Sequence, residues 1–150
     1  MRLIIQRVSK AQVTVDHKIV SEIQLGFLIF VGIETEDTQL DVDWLADKVA
    51  GLRIFSDNQG KMNLGIKEIS GSILAVSQFT LHASTAKGNR PSFVRAASPD
   101  LANQYYESFI NRLQNQHSIP VYKGIFGADM KVELLNDGPV TILIDSKNRE

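Results

Sequence analysis

Residues 25–33 form the feature that most restricts how this chain can fold. The stretch reads Leu-Gly-Phe-Leu-Ile-Phe-Val-Gly-Ile and contains no polar or charged side chain. A continuous apolar run of this length is typical of a strand buried in the centre of a sheet. The sequence therefore predicts a sheet with this strand in its interior, and the rest of the chain must supply the neighbouring strands.

Several other segments have the composition of strands and are separated by turn-forming residues. We predict strands at residues 2–8, 11–15, 19–23, 72–81, 121–123, 130–135 and 140–145. Asp16, His17 and Lys18 are predicted to form the turn that leads into residues 19–23.

Two segments predict helices because their apolar residues recur at helical spacing. Asp37 or Thr38 can cap the first helix, which should end near Arg53, and its predicted apolar stripe is Leu40, Trp44, Leu45, Val49 and Leu52. The second begins at Ser98-Pro99-Asp100, with a cap, a proline at the first position and an acid in the first turn. Its predicted core-facing stripe is Leu101, Ala102, Tyr105, Phe109, Ile110 and Leu113. Residues 82–97 are predicted to be a long, mostly irregular loop.

The order of these elements mixes strands and helices without regular β-α-β alternation. This order favours an α+β fold over a doubly wound parallel one. We predict a mixed, largely antiparallel, barrel-like sheet packed with a few helices. A chain of 150 residues is the size of one domain, which we assign to residues 1–150.

Composition excludes several classes of function. The chain has no cysteine, so disulfides, thiolate catalysis and sulfur-ligated metals are ruled out. It has no apolar run of about 18 residues, which a membrane span requires, and its first residues lack the features of a signal peptide. We therefore expect a cytoplasmic protein that does not interact with membranes. No phosphate-binding or dinucleotide-binding glycine motif is present, so no cofactor is expected.

A change from apolar to polar residues marks the first candidate motif, Ser77-Gln78-Phe79-Thr80-Leu81. It follows the apolar residues 73–76, so a rigid strand would present polar groups to a small ligand at its end. If the strand continued, its period of two would place Gln78 and Thr80 on one face. Ser77, Phe79 and Leu81 would then lie on the other face.

The second candidate motif is Asn136-Asp137-Gly138-Pro139-Val140-Thr141, between two predicted strands. Asp-Gly-Pro is typical turn chemistry, and an ordinary hairpin turn is the more frequent explanation of such a tripeptide. The functional alternative is a corner that offers carbonyl oxygens to a ligand. Glycine lets a ligand approach the main chain closely, and proline removes a backbone donor.

The usual side-chain chemistries find little support. The three histidines, His17, His82 and His117, are scattered, and no carboxylate lies at metal-ligand spacing, so we expect no metal site. Ser77 and His82 are poorly spaced for a nucleophile–base pair on a strand. Thr80 is the strongest side-chain candidate for a nucleophile, but the sequence nominates no general base to activate its hydroxyl. Chemistry that relies on backbone donors and on a group of the substrate is the alternative.

Lys87, Arg90 and Arg95 lie close together in a loop-like segment that contains Gly88 and Pro91. Such a segment can contact a few phosphates, and it is equally compatible with a solvated surface loop. The formal net charge of −1 argues against a protein that grips a long stretch of duplex nucleic acid.

The two motifs resemble the two signature motifs of the D-aminoacyl-tRNA deacylases. Similarity to that family extends to segments along nearly the whole chain: Arg7-Val8, Leu52-Arg53-Ile54-Phe55, Gly60-Lys61-Met62-Asn63-Leu64, Gly88, Arg90-Pro91-Ser92-Phe93, and Gly124 with Phe126-Gly127-Ala128-Asp129-Met130. Two separated signatures in the right order, with these segments between them, make the resemblance specific.

The resemblance implies a homodimer that hydrolyses the ester joining a D-amino acid or glycine to the terminal adenosine of tRNA. It assigns catalysis to Ser77, Gln78, Phe79 and Thr80. It implies that Gly138-Pro139, with a cis peptide bond, enters the partner's site and, with Asn136 and Val140, binds the substrate and rejects L-amino acids. The substrate's 2′-hydroxyl would help to activate water. With a tRNA as the substrate, the basic residues Lys87, Arg90 and Arg95 become the candidates for contacts with its phosphates.

Two further hypotheses come from other classes of function. One is a non-catalytic module that binds RNA or an aminoacylated adenosine. The other is a structural dimer without a ligand. Release of free amino acid from D-aminoacyl-tRNA distinguishes the enzyme from both. Binding of an uncleavable analogue distinguishes the binding module from the structural dimer.

Overall fold

Eight strands and two α-helices make up the computed structural model, which describes residues 1–149. The helices are α1 (Gln39–Gly51) and α2 (Pro99–Asn115), and a 3-10 turn spans Phe79–His82. The strands are β1 (Arg2–Val15), β2 (Lys18–Ile23), β3 (Gly26–Gly32), β4 (Arg53–Ser56), β5 (Met62–Gly65), β6 (Ser72–Ser77), β7 (Val121–Lys123) and β8 (Lys131–Asp145).

Six of the strands form one curved sheet. Its order is β2-β1-β3-β6-β7, and β8 pairs with β1, while β4 and β5 form a separate two-stranded sheet. The pairs of β1 with β2, β3 and β8 are antiparallel, whereas β6 is parallel to both β3 and β7. The two ends of the sheet meet where the Ser21 hydroxyl donates to the Lys123 carbonyl at 2.5 Å. The predicted α+β fold with a mixed, largely antiparallel, barrel-like sheet is confirmed.

The apolar run at residues 25–33 forms β3, which lies between β1 and β6. Phe27, Ile29 and Val31 pack into the main core with the helices. Leu28 points into a second core on the opposite face of the sheet. Since both faces of β3 are covered, the strand shows no alternation of polar and apolar residues.

Helix α1 begins after Thr38, as predicted, and ends at Gly51. The Thr38 backbone N–H and hydroxyl both donate to the Asp41 carboxylate at 2.9 Å, which satisfies groups at the helix start. The predicted stripe was partly wrong, because Leu40 lies on the solvent side and is 76% exposed. The apolar face that reaches the core consists of Val42, Leu45, Ala46 and Val49.

Helix α2 begins at Pro99 after Ser98, as predicted. Phe109, Ile110 and Leu113 are buried as expected, but Leu101, Ala102 and Tyr105 are only partly buried. Tyr106, which the predicted stripe omitted, is one of the largest fully buried side chains. Its hydroxyl explains its position, because it donates to the Ala75 carbonyl of β6 at 2.8 Å.

The first predicted strands, residues 2–8 and 11–15, are one continuous strand. Ser9 and Lys10 look like a polar break in the sequence, but β1 pairs with β8 along almost its whole length. This long pairing keeps the backbone extended through the polar positions. The predicted turn at Asp16 and His17 is present, and both residues adopt positive φ angles, 48° and 62°. No helix within residues 1–149 is long and apolar enough to cross a membrane.

Candidate active site

The first motif begins where β6 leaves the sheet. The prediction that this strand extends to Leu81 is wrong, because β6 ends at Ser77 and the chain turns into the 3-10 turn Phe79–His82. Gln78 marks the change: its N–H still donates to Val31 of β3 at 2.8 Å, and its carbonyl already accepts from Leu81 at 3.3 Å. The predicted alternation of faces after Ser77 therefore does not apply.

The 3-10 turn leaves backbone donors available. Among the hydrogen bonds of the described residues, none uses the N–H of Phe79 or Thr80. The first N–H groups of a helical turn have no partner within the turn itself. They are donors that a substrate oxygen can use.

A cavity of about 560 Å³ opens beside this turn. Its lining is mainly apolar, with a few polar groups, which is the usual make-up of a small-molecule site. Ser77, Gln78 and Phe79 line it, together with Val31, Ile33, Val76, Ala96, Ala97, Pro99, Ala102, Phe126, Gly127, Ala128, Asp129, Met130 and Val132. Sequence patterns alone did not indicate that residues 126–130 belong to the cavity wall, because the fold brings them there.

Thr80 is exposed, and its side chain contacts a neighbour in the same motif. The Gln78 amide donates to Thr80 Oγ1 at 2.5 Å. Within residues 1–149 no imidazole, carboxylate or amine makes a hydrogen bond to that oxygen. A threonine needs an adjacent base to act as a nucleophile, and these neighbours supply none.

The second motif is not a hairpin turn. The prediction of two strands joined by Asp-Gly-Pro is wrong, because residues 131–145 form the single strand β8. Both halves of β8 pair with β1, so the chain does not reverse direction. Asn136 pairs with Val8 and Thr141 with Gln6, so residues 137–140 bulge outwards opposite Arg7 alone. Gly138 and Pro139 lie exposed in this bulge, joined by a cis peptide bond as the resemblance implies.

Side chains at the base of the bulge hold its shape. The Asn136 amide donates to the carbonyls of Arg7 at 3.1 Å and Val140 at 3.0 Å, which ties together the two ends of the bulge. Arg7 Nε donates to the Asp137 carbonyl at 3.2 Å and lies 3.0 Å from the Asp137 carboxylate. Arg7 also donates to the buried Ile54 carbonyl at 2.6 Å.

Sequence reasoning did not identify Arg7 as a site residue. The strand alternation could have identified it. Leu3 and Ile5 are buried, and the period of two places Arg7 on the same inward face. A charged residue at a core-facing position is almost never buried unless it is paired. Arg7 is only 8% exposed.

Gly138 has no room for a side chain. Its φ angle is +116°, which L-residues rarely adopt. A Cβ atom at this position would lie 2.6 Å from Arg7 Nη2 and 3.0 Å from Val140 Cγ2. At Gly138 this corner therefore presents backbone atoms, without a side chain, to an approaching molecule.

The basic residues occupy a small hairpin within the predicted irregular loop. Ser84 and Ser92 exchange backbone hydrogen bonds at 2.8 and 2.9 Å, and Lys87 and Arg90 are exposed between them. Arg95 lies outside the hairpin and pairs with the buried Glu34 carboxylate at 2.6 Å. Burial alone would raise the pKa of Glu34, but the hydrogen bond from Arg95 and nearby positive charges hold it below its usual value.

His82 ends the 3-10 turn and is 2% exposed. Neither ring nitrogen has a hydrogen-bond partner among the described residues. Burial lowers the pKa of His82 below its usual value of 6.5, so the ring is neutral at pH 7. The strand spacing from which a poor Ser77–His82 geometry was expected does not apply, because β6 ends at Ser77 and His82 lies in the 3-10 turn.

The single chain does not bring all the predicted site residues together. The structure brings Ser77, Gln78 and Phe79 together at the cavity, with Thr80 adjacent in the 3-10 turn. The described residues that line the cavity include none from the Asn136–Val140 bulge, and neither Lys87 nor Arg90. In the part of the chain described, no group of three or more His, Asp or Glu side chains could hold a metal ion.

Two solved structures share this fold. One, named c-Myc DNA Unwinding Element Binding Protein, superposes with a TM-score of 0.90 at 38% identity, covering 97% of this chain and 98% of that one. The other, a probable eukaryotic D-amino acid tRNA deacylase, has a TM-score of 0.77 at 17% identity, covering 95% and 97%. At 17% identity, the similarity to the second structure shows only that the fold is shared.

Relatives of known sequence match from end to end. A protein of Flavobacterium psychrophilum named D-aminoacyl-tRNA deacylase is 57% identical over 150 residues, covering 100% of both chains. A protein of Akkermansia muciniphila with the same name is 58% identical over the same span. The family model described as D-Tyr-tRNA(Tyr) deacylase matches residues 4–145. This chain therefore belongs to the D-aminoacyl-tRNA deacylase family.

Proposed function

We propose that the protein hydrolyses the ester that joins a D-amino acid, or glycine, to the terminal adenosine of tRNA. Water adds to the ester carbonyl, the bond to the ribose oxygen breaks, and free amino acid and tRNA are released. The observation that carries this proposal is a cavity beside backbone donors in a member of a deacylase family. The adenosine occupies the largely apolar cavity.

Catalysis relies on the backbone and on the substrate. The N–H groups of Phe79 and Thr80 donate to the ester oxygen on which negative charge develops. Removing one such donor typically costs about 3–4 kcal/mol of transition-state stabilisation. The ribose 2′-hydroxyl next to the ester helps to activate water, which accounts for a site without a protein base.

Thr80 positions the substrate and does not attack it. Thr80→Ala and Thr80→Ser are expected to retain measurable hydrolysis, because the Thr80 hydroxyl has Gln78 as its neighbour and no base. Mass spectrometry of quenched reactions provides the check. An aminoacyl ester trapped on Thr80 would overturn this role.

Rejection of L-amino acids is assigned to Gly138 and Pro139, with support from Asn136 and Val140. Their carbonyl oxygens hold the substrate amino group, and the rigid bulge leaves no space for an L side chain. A yielding apolar pocket discriminates one methyl group by only about 1–3 kcal/mol. The hydrogen bonds from Arg7 and Asn136 make the bulge less yielding than such a pocket.

The protein acts as a homodimer in which this bulge enters the partner's site. Three observations support the proposal. The bulge is exposed, it does not line the cavity of its own protomer, and Leu135 and Leu143 on the same strand are 55% and 65% exposed. Exposed apolar residues beside an unpaired strand edge are typical of an interface between subunits.

Lys87, Arg90 and Arg95 contact phosphates of the tRNA. Lys87 and Arg90 are exposed on the hairpin, and the Arg95 side chain remains 58% exposed although it pairs with Glu34. Few phosphate contacts suffice, because the enzyme reads the end of the tRNA. The net charge of −1 is compatible with such a limited contact.

The decisive experiment compares D-aminoacyl-, L-aminoacyl- and glycyl-tRNA as substrates of the purified protein. Free amino acid should be released from the D- and glycyl-esters and not from the L-ester. A protein that binds an uncleavable D-aminoacyl adenosine but releases no amino acid would be a binding module instead. The nucleic-acid-binding name of the 38% identical structure is the observation that favours this second candidate.

A further inference from the structure

An exposed phenylalanine of the cavity wall, Phe79, pairs with the partly buried Phe93. The Phe79 and Phe93 rings meet edge to face, with centroids 5.0 Å apart and planes at 72°. Phe79 is 56% exposed in spite of this contact. A large part of its ring is therefore open to a ligand.

Positively charged side chains lie on the hairpin that precedes Phe93 in the chain. Phe93 directly follows the Ser84–Ser92 hairpin, which carries Lys87 and Arg90. None of the ion pairs within residues 1–149 involves Lys87 or Arg90. Phe79 also lines the cavity, so the aromatic pair lies between the cavity and the hairpin.

We propose that Phe79 and Phe93 form a stacking platform for the nucleobase that precedes the terminal adenosine of the substrate. The inference rests on the proposed function, because it requires the terminal adenosine to occupy the cavity. The next nucleotide of a single-stranded 3′ end then leaves the cavity at its edge, where the open face of Phe79 lies. Its phosphate points towards the hairpin with Lys87 and Arg90.

The chemistry of the platform favours a single-stranded nucleic acid. Proteins bind such strands by stacking bases on aromatic side chains while nearby cations contact the phosphates. Stacking tolerates any base, since every base has a π-face. A second copy of the chain could cover an exposed phenylalanine, but it would not account for two exposed cations on the neighbouring hairpin that have no carboxylate partner within the described residues.

The experiment measures dissociation constants of uncleavable amide analogues for the full-length protein. One probe is a cytidine-adenosine dinucleotide whose 3′-amino group carries a D-amino acid. The other has an abasic residue in place of the cytidine, so it retains the phosphate and lacks only the base. The ratio of the two dissociation constants measures the contribution of the penultimate base alone.

The wild type should bind the complete dinucleotide about tenfold more tightly than the abasic one. Phe93→Leu and Phe79→Leu should bring this ratio close to one. Tyr122→Leu, which removes an exposed aromatic ring from β7, is the matched control and should keep the wild-type ratio.

Three results would overturn the inference. The first is a wild-type ratio of one, and the second is an unchanged ratio in both phenylalanine variants. The third is dissociation of the dimer by these variants in sedimentation, because it would make the pair a contact between subunits. Failure of the proposed function is distinct, because it would appear as a wild type that does not hydrolyse the ester substrates.

Discussion

At the scale of single residues, Gly138 is the position where a small change should have the largest effect. Gly138→Ala places a Cβ 2.6 Å from Arg7 Nη2, at a φ angle of +116°. Either the bulge or the Arg7 guanidinium that holds it must shift to accommodate this atom. Displacement of a positioning group by about 1 Å can reduce the rate about a hundredfold. We expect a folded protein with this loss of kcat/KM on D-aminoacyl-tRNA, measured by release of free amino acid.

Gly60→Ala is the matched control for Gly138→Ala. Gly60 also has a positive φ, +76°, but no atom lies within 4 Å of the point that an added Cβ would occupy, so only backbone strain is added. We expect a stability cost of about 1–2 kcal/mol and unchanged kcat/KM. Wild-type activity in Gly138→Ala would mean that the bulge does not contact substrate.

His82 makes stability depend on pH. Its pKa in the folded protein is lowered by burial, so the unfolded chain binds a proton more readily than the folded one. The free energy of unfolding should therefore fall as the pH decreases below 6.5, the usual pKa of the imidazole. His82→Leu should flatten this dependence in urea unfolding measured at pH 7.5 and 5.5.

The exposed histidine of the β1–β2 turn provides the control for this titration. His17→Leu replaces an exposed histidine, so comparison with it separates the effect of the buried His82 ring from that of a His-to-Leu change as such. Equal pH dependence in the wild type and in His82→Leu would contradict the assignment of the effect to His82.

At the scale of elements, a buried hydrogen bond joins α2 to β6, the strand that leads into the first motif. The buried Tyr106 hydroxyl donates to the Ala75 carbonyl of β6 at 2.8 Å. Tyr106→Phe should lower the free energy of unfolding by about 1 kcal/mol, because it removes this buried hydrogen bond. The Ala75 carbonyl keeps its second donor, the Gly124 N–H at 3.0 Å, so it is not left unpaired. Urea unfolding followed by circular dichroism measures the change.

Tyr105→Phe is the control on the same helix. Tyr105 is partly buried, and its hydroxyl makes no hydrogen bond to the described residues, so its removal should leave stability nearly unchanged. Equal losses in the two variants would show that the Tyr106–Ala75 bond contributes nothing specific.

At the scale of the whole molecule, the proposed exchange of bulges between subunits can be tested by mixing variants. Phe79→Pro removes the Phe79 backbone donor at a position where a helical turn tolerates proline. Gly138→Val adds a branched side chain to the bulge, where no space for one exists, and should abolish its function. A hybrid dimer contains one site with both defects and one intact site, so random mixing should restore about a quarter of the wild-type activity.

Each variant alone, refolded in the same way, should remain inactive. Sedimentation should show dimers in all samples. If the mixture stays as inactive as its components while hybrids form, each protomer uses its own bulge and the proposed assembly is wrong.

Much of this molecule was predictable from local sequence patterns. The buried strand at residues 25–33, the helix starting at Pro99 and the fold class follow from apolar periodicity and capping residues, which act within a few residues. The two motifs were also identified from the sequence. Their resemblance to family signatures indicates the activity class without structural information.

The errors arose where pairing between distant residues overrides local preference. Asp-Gly-Pro favours a turn, yet β8 continues through it because both flanks hydrogen-bond to β1. Residues 72–81 favour a strand throughout, but β6 ends at Ser77, where the chain turns into the Phe79–His82 turn. In each case the local tendency is weaker than a set of long-range hydrogen bonds or a packed neighbour.

By itself the sequence determined which residues are apolar, where helices begin and which backbone positions carry no side chain. Only the tertiary structure decided that Arg7 holds the Gly138 bulge, that Phe126 and Met130 join Phe79 at one cavity, and that Gly138 lies outside that cavity. These relations join residues that are far apart in the chain. They follow from strand order and register, which no local pattern encodes.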